Sequence, residues 1–199
     1  MNINYLLSSV SKNRTIIFDL DNTIYEERLF LFKAYKNICK KFYKNKWEDS
    51  YKFLVEEFEY SQHKNIFSKL LAEFPLDDLN LEKIIKFLRL QSFKNELEPF
   101  DWFKQFLSKI PKEYKIRIIT NGNPSQQKNK FKSINFSNSP NEFELICANE
   151  TKPKPHKESF YELKNFSDFI SPVYVGDSIS DEEFCANLKI EFFNVSLLI

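Results

Sequence analysis

Asp19 and Asp21 stand two residues apart at the end of an apolar run, in TIIFDLDNTIY from Thr15 to Tyr25. Residues 15–18 read as a buried strand of a parallel sheet, and open α/β sheets bind ligands outside the carboxyl ends of their strands. Two acid groups in that position could hold a cation or move a proton. An Asp/Asn-rich turn uses the same residue types to bond its own backbone, so DxDxT alone leaves both readings open. Other stretches supply the groups that decide between them. Thr120 and Asn121 precede Gly122 in IITNG, Lys152 lies in TKPKP, and Asp177 and Asp181 lie in GDSISD. Carboxylates without His or Cys are hard oxygen ligands, which favour Mg²⁺ over zinc. A metal would relieve the repulsion among them, and a phosphate could bridge metal, Thr120 and Lys152. Such a set describes a phosphoryl-transfer site.

For these groups to meet, each must end a strand of one sheet. Residues 115–120, 143–148, 173–175 and 190–195 read as four further strands. They alternate with predicted helices at 98–109, after Asn123-Pro124 (Asn as N-cap, Pro at the first helical position), at 156–165 and at 181–188. This βα alternation predicts an α/β, Rossmann-like, mostly parallel sheet covered on both faces. Between about Glu26 and Leu97 the apolar residues recur at helical spacing instead: Phe32, Tyr35, Cys39 and Phe42, then Tyr51, Leu54, Val55 and Phe58, then Phe67, Leu70, Leu71 and Phe74, then Leu81, Ile84, Ile85 and Leu88. Four amphipathic helices here predict an inserted all-helical unit over 26–97, with the catalytic core at 1–25 and 98–199. Breaks fall at Lys44–Ser50, Ser61–Lys64 and Pro75–Asp78, and the aromatic stripes read as the insertion's own core. Residues 135–141 read as a polar loop.

The chain of 199 residues carries 29 basic and 28 acidic side chains, a formal net charge of +1. No whole-chain field recruits nucleic acid or an anionic membrane. No run approaches 18 apolar residues, and the N-terminus lacks a cleavage-site pattern, so a cytoplasmic protein is the simplest reading. Cys39, Cys147 and Cys185 are widely spaced, and His63 and His156 sit near none of them, which argues against a disulfide framework or a zinc site. Only two glycines occur, Gly122 and Gly176, where an average usage of about 7% would give roughly fourteen. Each follows an apolar run and permits positive φ or close backbone approach to a ligand.

The order FDLDNT, TNG, KPKP and GDSISD, with a helical insertion directly after the first motif, resembles the haloacid dehalogenase (HAD) superfamily of aspartyl phosphatases from Thr15 to about Leu188. The resemblance implies Asp19 as the nucleophile and Asp21 as general acid and base. It implies Mg²⁺ held by Asp19, the backbone carbonyl of Asp21 and Asp177. Thr120 and the Asn121 amide would bind phosphoryl oxygens, Lys152 would offset charge between Asp19 and phosphate, and Asp181 would orient other groups. The family pattern Lys-Pro-x-Pro selects Lys152, leaving Lys154 as a solvent-exposed loop lysine. Tyr25, Glu26 and Glu27 read as a solvated hinge into the cap.

Asp21 separates reactions within the family. Dehalogenating members usually lack a second aspartate, because a halide leaves without a proton, so DLD favours phosphate esters. The small cap is expected to close over the site, which suggests a small phosphorylated metabolite such as a sugar phosphate or nucleoside monophosphate. A phosphosugar mutase sharing all four motifs, or a non-catalytic binding protein of the same fold, are the alternatives.

Overall fold

The computed structural model describes residues 3–61, 65–136 and 139–198. In chain order the elements are α1 (Ile3–Ser11), β1 (Ile16–Phe18), α2 (Glu27–Phe42), α3 (Trp47–Ser61), α4 (Ile66–Glu73), α5 (Leu81–Arg89) and α6 (Asp101–Lys109). They continue with β2 (Ile116–Thr120), α7 (Pro124–Ser133), β3 (Phe143–Cys147), α8 (Glu158–Tyr161), β4 (Val173–Gly176), α9 (Ile179–Leu188) and β5 (Glu191–Asn194). Two compact units result, one from Met1–Glu27 with Phe93–Ile199 and one from Arg28–Ser92.

In the first unit all five strands run parallel in the order β3-β2-β1-β4-β5. The shortest strand, β1, is central because every one of its residues is apolar and buried. Its side chains alternate between the two faces of the sheet. Ile17 joins Ile119, Tyr174, Phe160 and Phe184 on one face. Phe18 sits on the other, its ring centroid 5.3 Å from Phe103 and 5.6 Å from Phe106 in edge-on geometry. Burying a ring of this size contributes about 1.5–3 kcal/mol, so these contacts fix the strand that carries Asp19.

Two elements depart from the sequence pattern. Residues 3–11 form a helix that buries Leu6 and Val10, whereas the sequence suggests no element there. The helix expected over 156–165 is a single turn, Glu158–Tyr161. The chain leaves it because Asn165 takes a left-handed conformation and the Lys164 amide donates to Glu144 Oε1 of β3 at 2.8 Å.

In the second unit α2, α3, α4 and α5 pack their aromatic stripes against one another. Phe32 meets Phe58 at 5.1 Å, Tyr35 meets Phe67 at 5.6 Å, and Phe42 meets Phe87 at 5.5 Å, all edge-on. Leu54, Leu70 and Ile84 are fully buried among them. Tyr35 and Phe67 are buried and Phe32, Phe42, Phe58 and Phe74 half-buried, so the stripes pack against one another rather than lie on an open face. His63 and part of the 61–64 break lie outside the described residues, as does part of the 135–141 loop.

Candidate active site

Asp19 follows β1 directly, and its backbone amide donates to Val175 O of β4 at 2.8 Å, extending the ladder by one residue into the site. The chain then turns through Asn22, whose φ of 54° is left-handed and suits a short polar side chain. That side chain accepts from the Glu27 amide at 3.0 Å. The turn returns Asp21 to the same edge as Asp19. Thr120 ends β2, with Asn121 and Gly122 next. Gly122 has φ +119°, and a Cβ there would lie 2.6 Å from Gln127 Nε2. Gly176 ends β4, and a Cβ there would lie 2.6 Å from Asp181 Oδ2. Both scarce glycines are thus sites of close approach, but to the protein's own side chains. After Gly176, Ser178 and Asp181 form a capping box at the start of α9: Ser178 Oγ accepts from the Asp181 amide, and the Ser178 amide donates to Asp181 Oδ2 at 3.1 Å.

Asp19, Asp21, Thr120, Asn121 and Asp177 line one cavity of about 170 Å³, together with Lys154 and the serines at 178 and 180. Asp181 stands behind it, fully buried. Lys152 is not there. Its side chain is 60% exposed and pairs with Glu158 at 2.7 Å, while the Lys154 side chain is 1% exposed. Lys154 Nζ donates to Asp19 Oδ1 and to Asp181 Oδ1, both at 2.6 Å, and to the Tyr174 hydroxyl at 2.8 Å. The assignment of Lys152, and of Lys154 to solvent, is therefore corrected.

The physical reason for the shift lies in the loop after β3. A 3₁₀ turn at Ala148–Glu150 takes up its first residues. The Asn121 side chain then holds the Lys154 backbone from both sides, donating to its carbonyl at 3.0 Å and accepting from its amide at 2.8 Å. With Lys154 in the site, the position three residues on is Lys157, so only the Lys-Pro half of the motif remains in register.

The electrostatics follow from this burial. Loss of hydration pushes Asp19 up to about 8, even though the Lys154 ammonium opposes the shift and Asp181 and Asp21 add to it. Asp177 is raised to about 6, first by loss of hydration and next by the Asp181 charge. Burial alone would lower the Lys154 ammonium, yet Asp19 and Asp181 outweigh it and hold the group above its usual value. Oxygens of Asp19, Asp177 and Asp181 all lie within 4.8 Å of one another. This is the one such cluster of three or more Asp, Glu, His or Cys among the described residues. Carboxylates outnumber ammonium groups in the cavity, the ligands are hard oxygens, and one of them is exposed. A divalent cation such as Mg²⁺ fits beside Asp19 and Asp177, with Asp181 behind them.

Sequence reasoning passed over the surroundings of Asp21. Tyr25, read as hinge, is fully buried, and its hydroxyl donates to Asp21 Oδ1 at 2.7 Å. From α7, Gln127 Nε2 and Lys130 Nζ donate to Asp21 Oδ2 at 3.0 and 2.8 Å. Lys130 also reaches Glu27 Oε1 at 2.5 Å. The available signal was α7 itself, PSQQKNKFKS, a helix over a sheet with Phe131 as its one large apolar residue. Such a helix buries polar groups, here Gln127, Lys130 and Ser133. All three cysteines are free and buried, and burial pushes Cys39 and Cys147 up to about 11 and Cys185 up to about 12.

A parallel α/β sheet that gathers aspartates, a threonine and a buried lysine at its carboxyl edge, with a helical unit inserted after the first strand, defines a class of hydrolytic enzymes. A family model for haloacid dehalogenase-like hydrolases matches residues 16–195. The chain belongs to this family. A search of curated proteins found no match. Among solved structures, a candidate beta-phosphoglucomutase from Thermotoga maritima superposes with TM-score 0.61 at 16% identity, over 91% of this chain and 84% of that one. A candidate HAD-hydrolase from Bacillus subtilis, YfnB, bound to magnesium, gives TM-score 0.58 at 20% identity over 90% and 87%. A candidate phosphoglycolate phosphatase from Lactobacillus plantarum gives 0.54 at 15% over 92% and 86%. These likenesses support the fold. No helix among the described residues is long and apolar enough to cross a membrane.

Proposed function

We propose that this hydrolase is a Mg²⁺-dependent phosphatase of a small phosphorylated metabolite, acting through an aspartyl-phosphate at Asp19. The observation that carries the reading is the presence of a second carboxylate, Asp21, in the same cavity as the lysine-bound Asp19. Halide departure needs no proton, whereas an alkoxide leaving phosphorus does.

One carboxylate oxygen of Asp19 attacks phosphorus, with the Lys154 ammonium on Oδ1 offsetting charge beside it. The Asp19–phosphorus bond forms as the bond from phosphorus to the ester oxygen breaks, and Asp21 gives that oxygen its proton. The resulting Asp21 carboxylate then takes a proton from water as the water oxygen attacks the aspartyl-phosphate, releasing inorganic phosphate and restoring Asp19. Thr120 and the Asn121 amide hold phosphoryl oxygens. Asp19, the Asp21 carbonyl and Asp177 would hold Mg²⁺, which neutralises phosphoryl charge. Both oxygens of Asp181 are engaged, by Lys154 and by Ser178, so its role is to orient Lys154.

Phosphate release from a panel of sugar phosphates and nucleoside monophosphates, with Mg²⁺ and with chelator, tests the reading. Metal-dependent release supports it. Isomerised substrate with little free phosphate would point to a mutase, and no turnover with Mg²⁺ bound would point to a binding protein.

A further inference from the structure

Lys130 lies outside all four motifs, on the second turn of α7, yet only 3% of its side chain is exposed. A buried ammonium is costly unless paired, and this one bridges Asp21 Oδ2 at 2.8 Å and Glu27 Oε1 at 2.5 Å. Gln127 stands one turn earlier on the same helix face. It too donates to Asp21 Oδ2, and it also donates to Asn121 O at 2.5 Å. Since α7 is capped by Asn123, directly after the Thr120–Gly122 loop, one rigid helix joins the phosphate-binding loop to the carboxylate of Asp21.

We propose that Lys130 is a positioning residue for catalysis: bridging Asp21 to Glu27, it fixes the Asp21 carboxylate relative to Asp19. The inference rests on the phosphatase reading above. Buried ion pairs are weak devices for stability, and an apolar side chain would fill the space under α7 at less electrostatic cost. What an apolar side chain would not do is set the direction of Asp21 Oδ2. Tyr25 fixes the other oxygen, Oδ1. With both anchored, rotation of the carboxyl group about its last bond is restrained. Without Lys130, Oδ2 is left to Gln127, whose Nε2 is shared with Asn121 O, and the restraint loosens; a misplacement of about 1 Å in a catalytic group costs about 10²-fold.

The test compares Lys130→Met, Lys130→Arg and Asp21→Asn with the wild type, on the best alkyl phosphate of a panel and on p-nitrophenyl phosphate, with Mg²⁺. Nitrophenolate leaves without a proton, so only the alkyl ester needs a placed acid in the first step. Lys130→Met should lower kcat on the alkyl ester by about 30–100-fold, with KM held within about 3-fold. Single-turnover release of nitrophenolate should fall by less than about 3-fold, followed by slow turnover as the phosphoenzyme accumulates. Lys130→Arg should recover most of the alkyl-ester activity. An unchanged kcat on the alkyl ester, or an equal fall for both esters in the single-turnover phosphoryl-transfer step, would overturn the proposal. If Lys130→Met does not fold, Glu27→Gln keeps Lys130 beside Asp21 while removing one charge that aims it. It should show the same leaving-group signature in the single-turnover step at about 5-fold, and equal losses on both esters in that step, or none, would count against Lys130 as a positioning residue. A wild type inactive on every phosphomonoester would instead overturn the underlying phosphatase reading.

Discussion

Replacing Lys154 by methionine removes the one cation between Asp19 and Asp181 while keeping most of the side-chain volume. Two ion pairs at 2.6 Å are lost in a fully buried setting. At an effective dielectric constant near 20, each pair is worth about 6 kcal/mol before the cost of dehydrating its members. Most of that gross figure is offset, and stripping one partner from a buried pair costs about 3–5 kcal/mol in practice. For a domain of this length that corresponds to about 6–20 °C in Tm. The effect should depend on pH with a definite sign. Without the ammonium that opposes its raised value, Asp19 takes up a proton more readily beside the Asp181 charge, so the gap between variant and wild type narrows as pH falls toward 5. Differential scanning fluorimetry in chelator between pH 5 and 8 measures this, and Lys152→Met is the matched control. Its exposed pair with Glu158 contributes little, so that variant should melt with the wild type. Equal melting of both variants at pH 8, or a larger loss for Lys152→Met, would refute the placement of Lys154 in the site.

Three further outcomes follow from the same geometry. The raised Asp19, near 8, means that the native state holds a proton more tightly than the unfolded chain. This group's contribution to stability is therefore fully present below the ordinary carboxylate range and lost as pH rises from about 4 through about 8. In chelator, the Tm of Asp19→Asn minus that of the wild type should grow with pH over that window, and a difference that shrinks would contradict the burial argument. Gly176→Ala places a methyl group 2.6 Å from Asp181 Oδ2 and 2.7 Å from its Cγ. Overpacking of this kind costs about 1–3 kcal/mol, and urea titration should find it together with a fall in kcat as Asp181 shifts off Lys154. Asn121→Ala deletes both side-chain bonds to the Lys154 backbone. It should cost about 1–3 kcal/mol and weaken phosphate-analogue binding in calorimetry; unaltered binding would show that the loop needs no such clamp.

Most of the sheet is legible in the sequence because buried parallel strands are written as apolar runs. IIF, IRIIT and VYVG needed no tertiary information to be recognised, and Asn123-Pro124 marked a helix start that the Asn123 side chain caps as expected. Where a tertiary bond overrides local preference the sequence misleads. The helix expected over 156–165 stops after Tyr161, and the Lys164 amide is diverted to Glu144. The site was legible to the extent that each group ends a strand, as Asp19, Thr120 and Asp177 do. Lys152 and Lys154 differ by one Lys-Pro step, and spacing cannot choose between identical steps. The choice is made by the Asn121 side chain, which reaches Lys154 across 33 positions of sequence. Lys130 was invisible for a related reason: one lysine in a polar, lysine-rich helix resembles every other until the fold places it against Asp21.

The central claim is that Asp19 carries the phosphoryl group during turnover. Acid quenching of the enzyme with Mg²⁺ and its best substrate, followed by mass spectrometry of the peptides, reads this directly. The account predicts one phosphoryl group on the peptide containing Asp19, accumulating further in Asp21→Asn when p-nitrophenyl phosphate is the donor, and absent from Asp19→Asn, which should not turn over. Full turnover by Asp19→Asn, or a phosphoryl group trapped on any other residue, would contradict it.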